Sequence, residues 1–574
     1  MGRIGSPGDS WQWWTTIGVL LAATIFFYPV LLGIPLLDPD EGLHAAIAQE
    51  MVERGDWVVP SFLGKPFLDK PIFYFWAEAL SLRCFGMHEA AVRLPGLMFG
   101  LLGAITTGVV GWRMFGRTTG LLAGLLYATM ILPTALAQAA AHDVALVPWV
   151  SLAVLLFWES DRAATRRAAL AYALAIGLLL GLTCLTKGLV GVALVGVAYG
   201  GYLLIARKLT LAACLRGAGA LAVAALVAST WYLAVELRHP GYLHYYFIER
   251  HLLGYSTATQ VHGDAAWWYY LPILLGGGLP WIAYLPVTVH DAWASRKQPD
   301  RGAPAERPTH GATLLLWCWL IGCTVFLSTS HSKLVTYIWP VFPAVAVLAA
   351  LAWVRLLEGT LAEGARRAMG WTLCSSCLGG PVVLPLALLV VQAEFSTAFS
   401  PLVWTAALLA ACAAAVPAAF WITGRFRATI SAALLSTAAQ FAVIMTFVLP
   451  PVAASVSARD LARHFNRRAR LPSELLIADE RLGSIVFYLD RDLRAELPGG
   501  RLKAVQLRDI AAFPSVPPGA VLALPESRVD GAGRQFLDLA QLEYRPAGRY
   551  RLYDAVALQP RFRTAAAAPG VLRR

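Results

Sequence analysis

Charged residues are scarce in this chain of 574 amino acids. Asp, Glu, Lys and Arg make up 14% of it and hydrophobic residues 58%, with a mean hydropathy of +0.59. A soluble domain cannot bury that much apolar surface, so the composition predicts a polytopic α-helical membrane protein. The net charge of +12 does not indicate a nucleic-acid partner, because most basic residues lie in short segments between apolar runs, where they set topology.

Nucleotide-binding and metal-binding motifs are also missing. No G-x-x-x-x-G-K-[ST] sequence occurs, nor G-x-G-x-x-G after a strand, so we expect chemistry that uses no nucleotide. Only Cys84 of the eight cysteines lies in a polar region, and Cys374 and Cys377 form a C-x-x-C with no flanking His or acidic residue. This pattern favours packing over a metal or redox site.

What the chain has instead is about 13 apolar runs of roughly 20 residues, the length that spans a membrane as a helix. They cover 14–37, 95–112, 118–137, 144–160, 168–184, 188–206, 217–237, 268–290, 311–329, 334–354, 370–392, 402–422 and 428–450. Leu36-Leu37-Asp38-Pro39 is not a small-residue cleavage site, so the first run is expected to be a retained helix and not a signal peptide.

Basic residues predict the orientation. If the N-terminus is cytoplasmic, the loops on its side of the membrane carry most of the short-loop Arg and Lys residues, as the positive-inside rule requires. The acidic and mixed motifs then fall on the outer side, in a first loop at 38–94, a long loop at 238–266 and shorter loops near Asp143, Lys187 and Lys333. We therefore expect the active site on the outer face.

The chain after the last run changes character. Residues 475–478, 484–489, 520–524 and 550–553 are predicted strands, and 457–468 and 533–541 are predicted helices. The predicted organisation is a transmembrane domain at 1–451, a small α/β domain at 452–560 that an odd number of spans places outside, and a disordered tail at 561–574.

Two carboxylates are the candidate catalytic groups. Asp40 lies in Asp-Pro-Asp-Glu-Gly, directly after the first apolar run, and Asp143 follows His142 at the mouth of a later run. Carboxylates at membrane depth are costly unless they are paired or hydrated, so both suggest a polar cavity. For each of them the alternative is an ordinary helix N-cap.

Four cations are the candidate ligands for an anion. Lys70, Lys187, Lys333 and Arg250 each lie in an outer loop or at the end of a run, and such groups bind phosphate. For any single lysine the alternative is snorkelling to the headgroup region. Together with the two carboxylates, the four cations favour a lipid-phosphate ligand.

The long loop is rich in aromatic residues and histidine. Tyr245-Tyr246-Phe247 and Trp267-Trp268-Tyr269-Tyr270 are typical of an interfacial belt, although such rings can also stack on a sugar. His244, His251 and His262 have no acidic partner at ligand spacing, which gives a zinc site little support.

At these motifs the chain resembles a family. D-P-D-E, G-D-W-V-V-P, F-L-D-K-P, G-L-T-C-L-T-K-G-L-V-G, F-I-E-R-H and S-K-L-V-T-Y-I-W-P-V-F-P, in this order up to about residue 345, are similar to the bacterial glycosyltransferases of the protein O-mannosyltransferase superfamily. The resemblance is closest to the 4-amino-4-deoxy-L-arabinose transferases that modify lipid A. It implies a GT-C type fold in the bacterial inner membrane and transfer of a sugar from undecaprenyl phosphate on the periplasmic face.

The resemblance also assigns residues. Asp40 matches the catalytic aspartate of the first loop; Lys70, Arg250 and Tyr337 match positions around the carrier phosphate; Asp69 stands where the family usually has the glutamate of E-K-P. A divalent metal ion is left open as a cofactor, with unknown ligands.

Two departures leave the sugar and the acceptor open. Gly42-Leu43-His44 after Glu41 stands where the aminoarabinose transferases commonly have x-Arg-Tyr, and Gly254-Tyr255 stands in place of Arg-Phe. The acceptor is then lipid A, or a protein, another lipid or a surface glycan. A lipid or ion transporter is the rival from another class, but the sequence has no clear internal repeat and its charges crowd one face.

Overall fold

The computed structural model of the protein describes residues 18, 34–256, 265–296, 309–394, 399–478, 483–506, 517–526, 529 and 543–555. The chain divides into two compact units. The first unit comprises residues 1–31, 68–77 and 93–448, and the second comprises 32–67, 78–92 and 449–574. The predicted membrane run at 14–37, the predicted helix at 533–541 and the predicted tail at 561–574 lie wholly or mostly outside the described residues.

The described chain is mostly helical. In chain order the α-helices are α1 (Asp40–Arg54), α2 (Phe73–Phe85), α3 (Glu89–Phe115), α4 (Arg117–Ala128), α5 (Ile131–Leu136), α6 (Leu146–Ser160), α7 (Arg166–Lys187), α8 (Val190–Ile205), α9 (Leu211–Arg238), α10 (Gly254–Ser256), α11 (Tyr270–Gly277), α12 (Leu285–Arg296), α13 (Thr309–Trp317), α14 (Cys323–Ser328), α15 (Phe342–Leu357), α16 (Glu363–Glu394), α17 (Pro401–Ala413), α18 (Val416–Ile422), α19 (Phe426–Val443), α20 (Leu449–Val456), α21 (Arg459–Arg468), α22 (Gly483–Tyr488) and α23 (Arg491–Ala495). Short 3₁₀ or π segments are His142–Ala145, His244–Leu253, Trp281–Tyr284, Cys318–Gly322, Val335–Val341 and Ile444–Val448.

Eight of the described helices are long and apolar enough to cross a membrane, and they correspond to eight of the predicted runs. They are Glu89–Phe115, His142–Ser160, Arg166–Lys187, Leu211–Arg238, His310–Ser328, Val335–Leu357, Pro401–Ile422 and Phe426–Val456. A ninth candidate, in the run predicted at 268–290, is a pair of helices bent by 95°. The protein is therefore a multi-pass membrane protein.

Two other predicted runs form helices shorter than a membrane span, and a third lies in the 32-residue helix α16. The run at 118–137 divides into α4 and α5, the run at 188–206 is the 16-residue helix α8, and the run at 370–392 lies in α16, of which Val382–Ala393 is a short apolar part.

Polar groups at two of the helix breaks form hydrogen bonds with each other. Pro280 has no backbone N–H and interrupts the bent pair, and Ile131 begins α5 after the break at Thr129. The Ile131 N–H donates to the Leu279 carbonyl at 3.2 Å, and Trp281 Nε1 donates to Thr129 Oγ1 at 2.7 Å. Polar backbone freed at membrane depth needs such partners, because no water is available there.

The core of the first unit surrounds α15. This helix and the 3₁₀ turn before it are 89% buried over their most apolar part. Trp339 is fully buried and its Nε1 donates to Tyr127 of α4 at 2.9 Å. Trp319 Nε1 donates to the Pro340 carbonyl, also at 2.9 Å. The indoles of Trp339 and Trp319 thus pack as apolar groups while their N–H groups keep partners.

The second unit contains two sheets. The smaller is a hairpin of β1 (Ser61–Phe62) and β2 (Lys65–Pro66). The larger has the order β4-β3-β5-β7-β6, where β3 (Leu475–Ala478) is parallel to β4 (Leu502–Val505) and β5 (Val521–Pro525), and β7 (Tyr550–Asp554) is antiparallel to β5 and β6 (Arg545–Ala547). The predicted strands at 475–478, 520–524 and 550–553 and the predicted helix at 457–468 are confirmed.

One local prediction is wrong, and one segment outside the predicted membrane runs contains a helix that the sequence does not predict. The strand predicted at 484–489 is mostly helical, in α22. Ile485, Val486 and Phe487 are all buried, so this apolar run has neither the alternation of a half-exposed strand nor a helical period. The segment at 238–266, predicted as a long loop, carries the ten-residue π-helix His244–Leu253.

Glu78 on α2 gives a test of the fold of the second unit. Its side chain is fully buried, neither carboxyl oxygen has a hydrogen-bond partner among the described residues, and burial, with a smaller effect of the Glu41 charge, raises its pKa well above the usual value. The folded protein therefore keeps a proton on Glu78 that the unfolded chain releases above about pH 4.5. Stability falls as pH rises, by at most about 1.4 kcal/mol per pH unit.

We predict that Glu78→Gln removes this loss. In detergent, the unfolding midpoint of Glu78→Gln should exceed that of wild type at pH 8, and the difference should shrink towards pH 4.5. Glu363→Gln, which replaces an exposed carboxylate on α16, is the control. Its unfolding midpoint should stay close to that of wild type at both pH 8 and pH 4.5. A constant difference between wild type and Glu78→Gln at all pH values would contradict a buried, protonated Glu78.

Candidate functional site

A buried ion pair joins two helix ends of the first unit. Asp143, in the 3₁₀ turn before α6, forms a salt bridge with Lys187 at the end of α7, and their side chains are 11% and 10% exposed. The Lys187 ammonium also lies over the ring of Tyr337, 3.8 Å from its centroid, a cation–π geometry. Lys187 thus joins Asp143 to Tyr337.

These contacts decide between the two interpretations of Asp143 and Lys187. The turn that contains Asp143 has no side-chain cap hydrogen bond, so Asp143 is not an N-cap. Lys187 is buried in an ion pair and does not snorkel to the headgroups. Both residues therefore belong to a polar site within the apolar unit.

A second ion pair involves the π-helix His244–Leu253. Arg250 Nη2 lies 3.0 Å from Asp69 Oδ2, and the Tyr245 hydroxyl donates to Asp69 Oδ1. Burial, with the hydrogen bond to Asp69, raises the pKa of Tyr245 to about 12, so the phenol stays protonated and donates. Asp69 thereby fixes both Arg250 and Tyr245, which lie five residues apart on the π-helix.

His251 connects the two ion pairs. Its Nδ1 lies 2.9 Å from the Tyr246 carbonyl, and it also hydrogen-bonds to the backbone of Lys187. Gly188 allows this approach, because a methyl group there would lie 2.7 Å from His251 Cε1 and its φ of 72° favours glycine. His251 therefore ties the π-helix that carries Arg250 to the end of α7.

The charge around His251 is positive. Burial lowers the pKa of His251, and the nearby cations Lys70 and Arg250 lower it further, against the effect of its backbone hydrogen bonds. The ring is consequently neutral at neutral pH. The charges of Lys70 and Arg250 thus lie near a neutral side chain in a half-buried region, an arrangement suited to an anionic group.

Lys333 is held differently. Its ammonium donates to the Ala265 carbonyl at 2.9 Å, and the residue is 6% exposed. It is therefore buried and does not snorkel.

The aromatic residues within the predicted long loop and beside it form two groups. Trp231, Tyr232, Tyr242 and Tyr246 are buried, and their rings pack on one another at centroid distances of 5.0 to 6.1 Å. They support His251, whose ring lies 4.6 Å from that of Tyr246. Trp267 and Trp268, in contrast, are 78% and 54% exposed, as an interfacial belt requires.

Asp40, Glu41 and His44 belong to the second unit, on α1. Helix α1 begins at Asp40, its N-cap is Pro39, and no side chain caps it, so Asp40 is not the N-cap. Asp40 is exposed. Glu41 is buried and its Oε2 accepts the Leu37 N–H at 2.8 Å, and His44 is buried. Asp40 thus presents its carboxylate to solvent, whereas the Glu41 carboxylate binds the backbone just before α1.

No group of three His, Cys, Asp or Glu side chains that could hold a metal ion exists in the part of the chain that the structure describes. The carboxylates Asp69 and Asp143 are each paired with a cation. Both carboxylates of this network are therefore engaged by cations and do not form a ligand set for a divalent metal ion.

Sequence reasoning missed the roles of Tyr245 and His251. Both lie in an aromatic, histidine-rich segment whose simplest interpretation is a membrane interface. The spacing carries a signal. Arg250 and His251 follow Tyr245 by five and six residues, and a π-helix brings such positions to one side. No sequence rule predicts a π-helix reliably, because it is rare and depends on tertiary contacts.

Comparison with known proteins finds sequences similar to this chain. The family of dolichyl-phosphate-mannose-protein mannosyltransferases matches residues 69–233. Two relatives are named undecaprenyl phosphate-alpha-4-amino-4-deoxy-L-arabinose arabinosyl transferase: one from Aeromonas salmonicida is 34% identical over 58% of each chain, and one from Erwinia tasmaniensis is 30% identical over 66% of each chain. The matched part of the chain thus spans 58 to 66% of the length of these two relatives.

Solved structures show the same fold. ArnT from Cupriavidus metallidurans, bound to undecaprenyl phosphate, has a TM-score of 0.70 at 23% identity, with 95% of this chain and 98% of that chain covered. The archaeal oligosaccharyltransferase AglB from Archaeoglobus fulgidus has a TM-score of 0.52 at 11% identity and covers 96% of this chain and 75% of its own. The resemblance and the GT-C type fold predicted from the sequence are confirmed.

The buried pair of Asp143 and Lys187 gives a stability prediction. Asp143→Asn leaves the Lys187 charge buried without its partner, and breaking such a pair costs about 3 to 5 kcal/mol. We expect a clear fall of the unfolding midpoint in detergent, and partial recovery in Asp143→Leu/Lys187→Met, which removes both charges. Glu363→Gln, which breaks the exposed pair with Arg367 at 3.8 Å, is the control and should change stability by less than about 1 kcal/mol. Equal effects of Asp143→Asn and Glu363→Gln would contradict a buried pair.

Proposed function

We propose that this chain, which resembles the aminoarabinose transferases in sequence and fold, is an integral membrane glycosyltransferase. It moves a sugar, 4-amino-4-deoxy-L-arabinose, from undecaprenyl phosphate to lipid A. The observation that carries this proposal is the joining of two cation–carboxylate groups, Arg250 with Asp69 and Lys187 with Asp143, through His251. Ionisable groups at or beside membrane helices commonly mark the site of a charged substrate, and the resemblance favours the phosphate of a lipid carrier.

The cations act on the leaving group. When the bond between the anomeric carbon and the carrier phosphate breaks, the electron pair stays on the phosphate oxygen. Lys70 and Arg250 stabilise this developing charge, and Asp69 with Tyr245 keeps Arg250 oriented for it. Lys187 and Lys333 add positive charge from fixed positions, and Tyr337 holds the Lys187 ammonium.

Asp40 acts on the acceptor. A phosphate of lipid A is already an anion, so Asp40 then only orients the acceptor oxygen that forms the new bond. A hydroxyl acceptor must lose a proton, and Asp40 then takes it as general base. Asp143 supports the donor side through Lys187. We propose a reaction without a bound metal, because side-chain cations supply the positive charge.

We further propose the finer organisation of the chain. Thirteen membrane helices lie in residues 1–451, with the N-terminus in the cytoplasm, and residues 452–560 form a periplasmic α/β domain. The excess of basic residues in alternate loops supports this orientation, and the five-stranded sheet supports the α/β character of residues 475–554. In this topology the active site faces the periplasm from the bacterial inner membrane.

The function is tested by mass spectrometry of lipid A. Cells that make the carrier-linked sugar are compared without the protein, with wild type and with Asp40→Ala. We expect wild type to add the mass of the sugar to lipid A and Asp40→Ala to reduce this product about 100-fold, the scale expected when the group that orients the acceptor is lost. Asp492→Ala, an exposed carboxylate in the first turn of another helix, is the matched control. Unchanged lipid A in wild-type cells with folded protein would move the proposal to a protein, lipid or glycan acceptor.

Binding of undecaprenyl phosphate tests the phosphate site. Arg250→Ala removes a charge-assisted hydrogen bond, which is worth about 1.5 to 3 kcal/mol, so we expect the dissociation constant to rise by roughly 10-fold to 100-fold. Asp69→Asn keeps the arginine but loses its orientation and should have a smaller effect. Arg367→Ala, at an exposed pair on α16, is the control. Equal affinity of Arg250→Ala and Arg367→Ala for undecaprenyl phosphate in detergent would argue against Arg250 as a phosphate ligand.

A further inference from the structure

Ser484 at the start of α22 holds the loop before α1. The Ser484 N–H donates to Asp38 Oδ1 at 2.8 Å, and its hydroxyl donates to Asp38 Oδ2. Ser484 is fully buried, and its Oγ also accepts the Ala458 N–H at 2.9 Å. A carboxylate that accepts two such bonds is fixed in position and direction. Asp38 is separated from Ser484 by 446 residues, so this is a contact between the two ends of the chain.

Two glycines bring the backbones of α1 and α22 together. A methyl group at Gly42 would lie 2.7 Å from Ser484 Cα, and one at Gly483 would lie 2.6 Å from the Gly42 carbonyl carbon. Real Cβ atoms do not approach other atoms that closely. The glycine of Asp-Pro-Asp-Glu-Gly is therefore required for close packing and not for flexibility.

The same part of the tail holds both ends of α1. Before the helix, the Leu36 N–H donates to the Tyr488 hydroxyl at 2.8 Å, and Tyr488 donates to Glu89 Oε1 at 3.0 Å. At the other end, Arg494 Nη2 lies 2.5 Å from Glu53 Oε1. Arg494 also donates to the Leu489 carbonyl at 2.7 Å, next to the end of α22.

Asp40 lies between these fixed points. Asp38 is held two residues before it and Gly42 is packed two residues after it, while Gly42 N donates to the Leu37 carbonyl at 3.2 Å. Its own side chain is exposed. The backbone of Asp40 is thus immobilised on both sides and the carboxylate is accessible to a substrate, which is the arrangement of a preorganised catalytic group.

We propose that α22 is a positioning element for Asp40, with Ser484 as the positioning residue. This inference rests on the proposed function, in which Asp40 acts on the acceptor. The tail thereby contributes to turnover without contacting the substrate. A loosened Asp40 should slow the reaction and leave binding of the donor phosphate intact, because Lys70 and Arg250 belong to the other unit.

The kinetic test uses Ser484→Ala, Asp38→Asn and the double variant in the full-length protein. We expect kcat to fall about 10-fold to 100-fold in each single variant, as for a small misplacement of a catalytic group, with KM for the carrier-linked sugar within about twofold of wild type. The double variant should be no slower than the slower single variant, since both break one contact. Ser473→Ala, which loses an exposed hydrogen bond to Pro518 in the same tail, is the control.

Gly42→Ala tests the packing. It should lower kcat at least as much as Ser484→Ala, whereas Gly219→Ala, at a helical glycine with no atom within 4 Å of the added carbon, should not. The positioning role would be overturned if the losses of kcat in the two single variants multiplied in their double variant. It would also be overturned if each loss matched the fraction of unfolded protein at the assay temperature.

Hydrogen exchange separates this inference from the proposed function. Amide exchange at residues 40–44 of the full chain in detergent should be faster in Ser484→Ala than in wild type, and unchanged in Ser473→Ala, whether or not the protein transfers a sugar. Faster exchange in a protein that modifies no lipid would retain the positioning of α1 and reject the proposed reaction. Unchanged exchange at residues 40–44, in a wild type that is active, would reject the positioning role alone.

Discussion

Charge pairing at membrane depth is the constraint on which the first unit depends. An apolar helix bundle tolerates a carboxylate or an ammonium only with a partner, and the Asp143–Lys187 pair meets this condition with side chains about one-tenth exposed. The pair fixes the end of α7, which in turn provides the backbone partner of His251. His251 follows Arg250 directly in the chain, so its contact with the end of α7 connects the second ion pair with the first. The site is one connected network and not a set of independent ligands.

Part of this network is predictable from the sequence. Asp69, Asp143, Lys187 and Arg250 are ionisable residues beside apolar runs, and the free-energy cost of placing charges there is enough to identify them as candidates from the order of the amino acids. The sequence does not tell which carboxylate pairs with which cation. The partners are 44 residues apart in one case and 181 in the other, and such pairings depend on helix packing that no local pattern encodes.

The fold is predictable to a similar extent. Long apolar runs identify the spans because length and hydropathy are both large signals, as at Leu211–Arg238. Bends and breaks are less visible: the 95° bend near Pro280 and the break between α4 and α5 depend on backbone groups that satisfy each other. The strand expected at 484–489 fails because a short apolar run that is buried on all sides has no diagnostic period. Its helical form depends on contacts with α1, more than 400 residues away in sequence.

The contact between α1 and α22 has a consequence for biosynthesis. A ribosome adds about 5 to 20 residues per second, so the 446 residues between Asp38 and Ser484 take roughly 20 to 90 s to make. During that time α1 has been synthesised, but α22, against which it packs, has not. Gly42 therefore cannot pack against α22 during this time, and α1 reaches its final backbone position only when nearly the whole chain has been made.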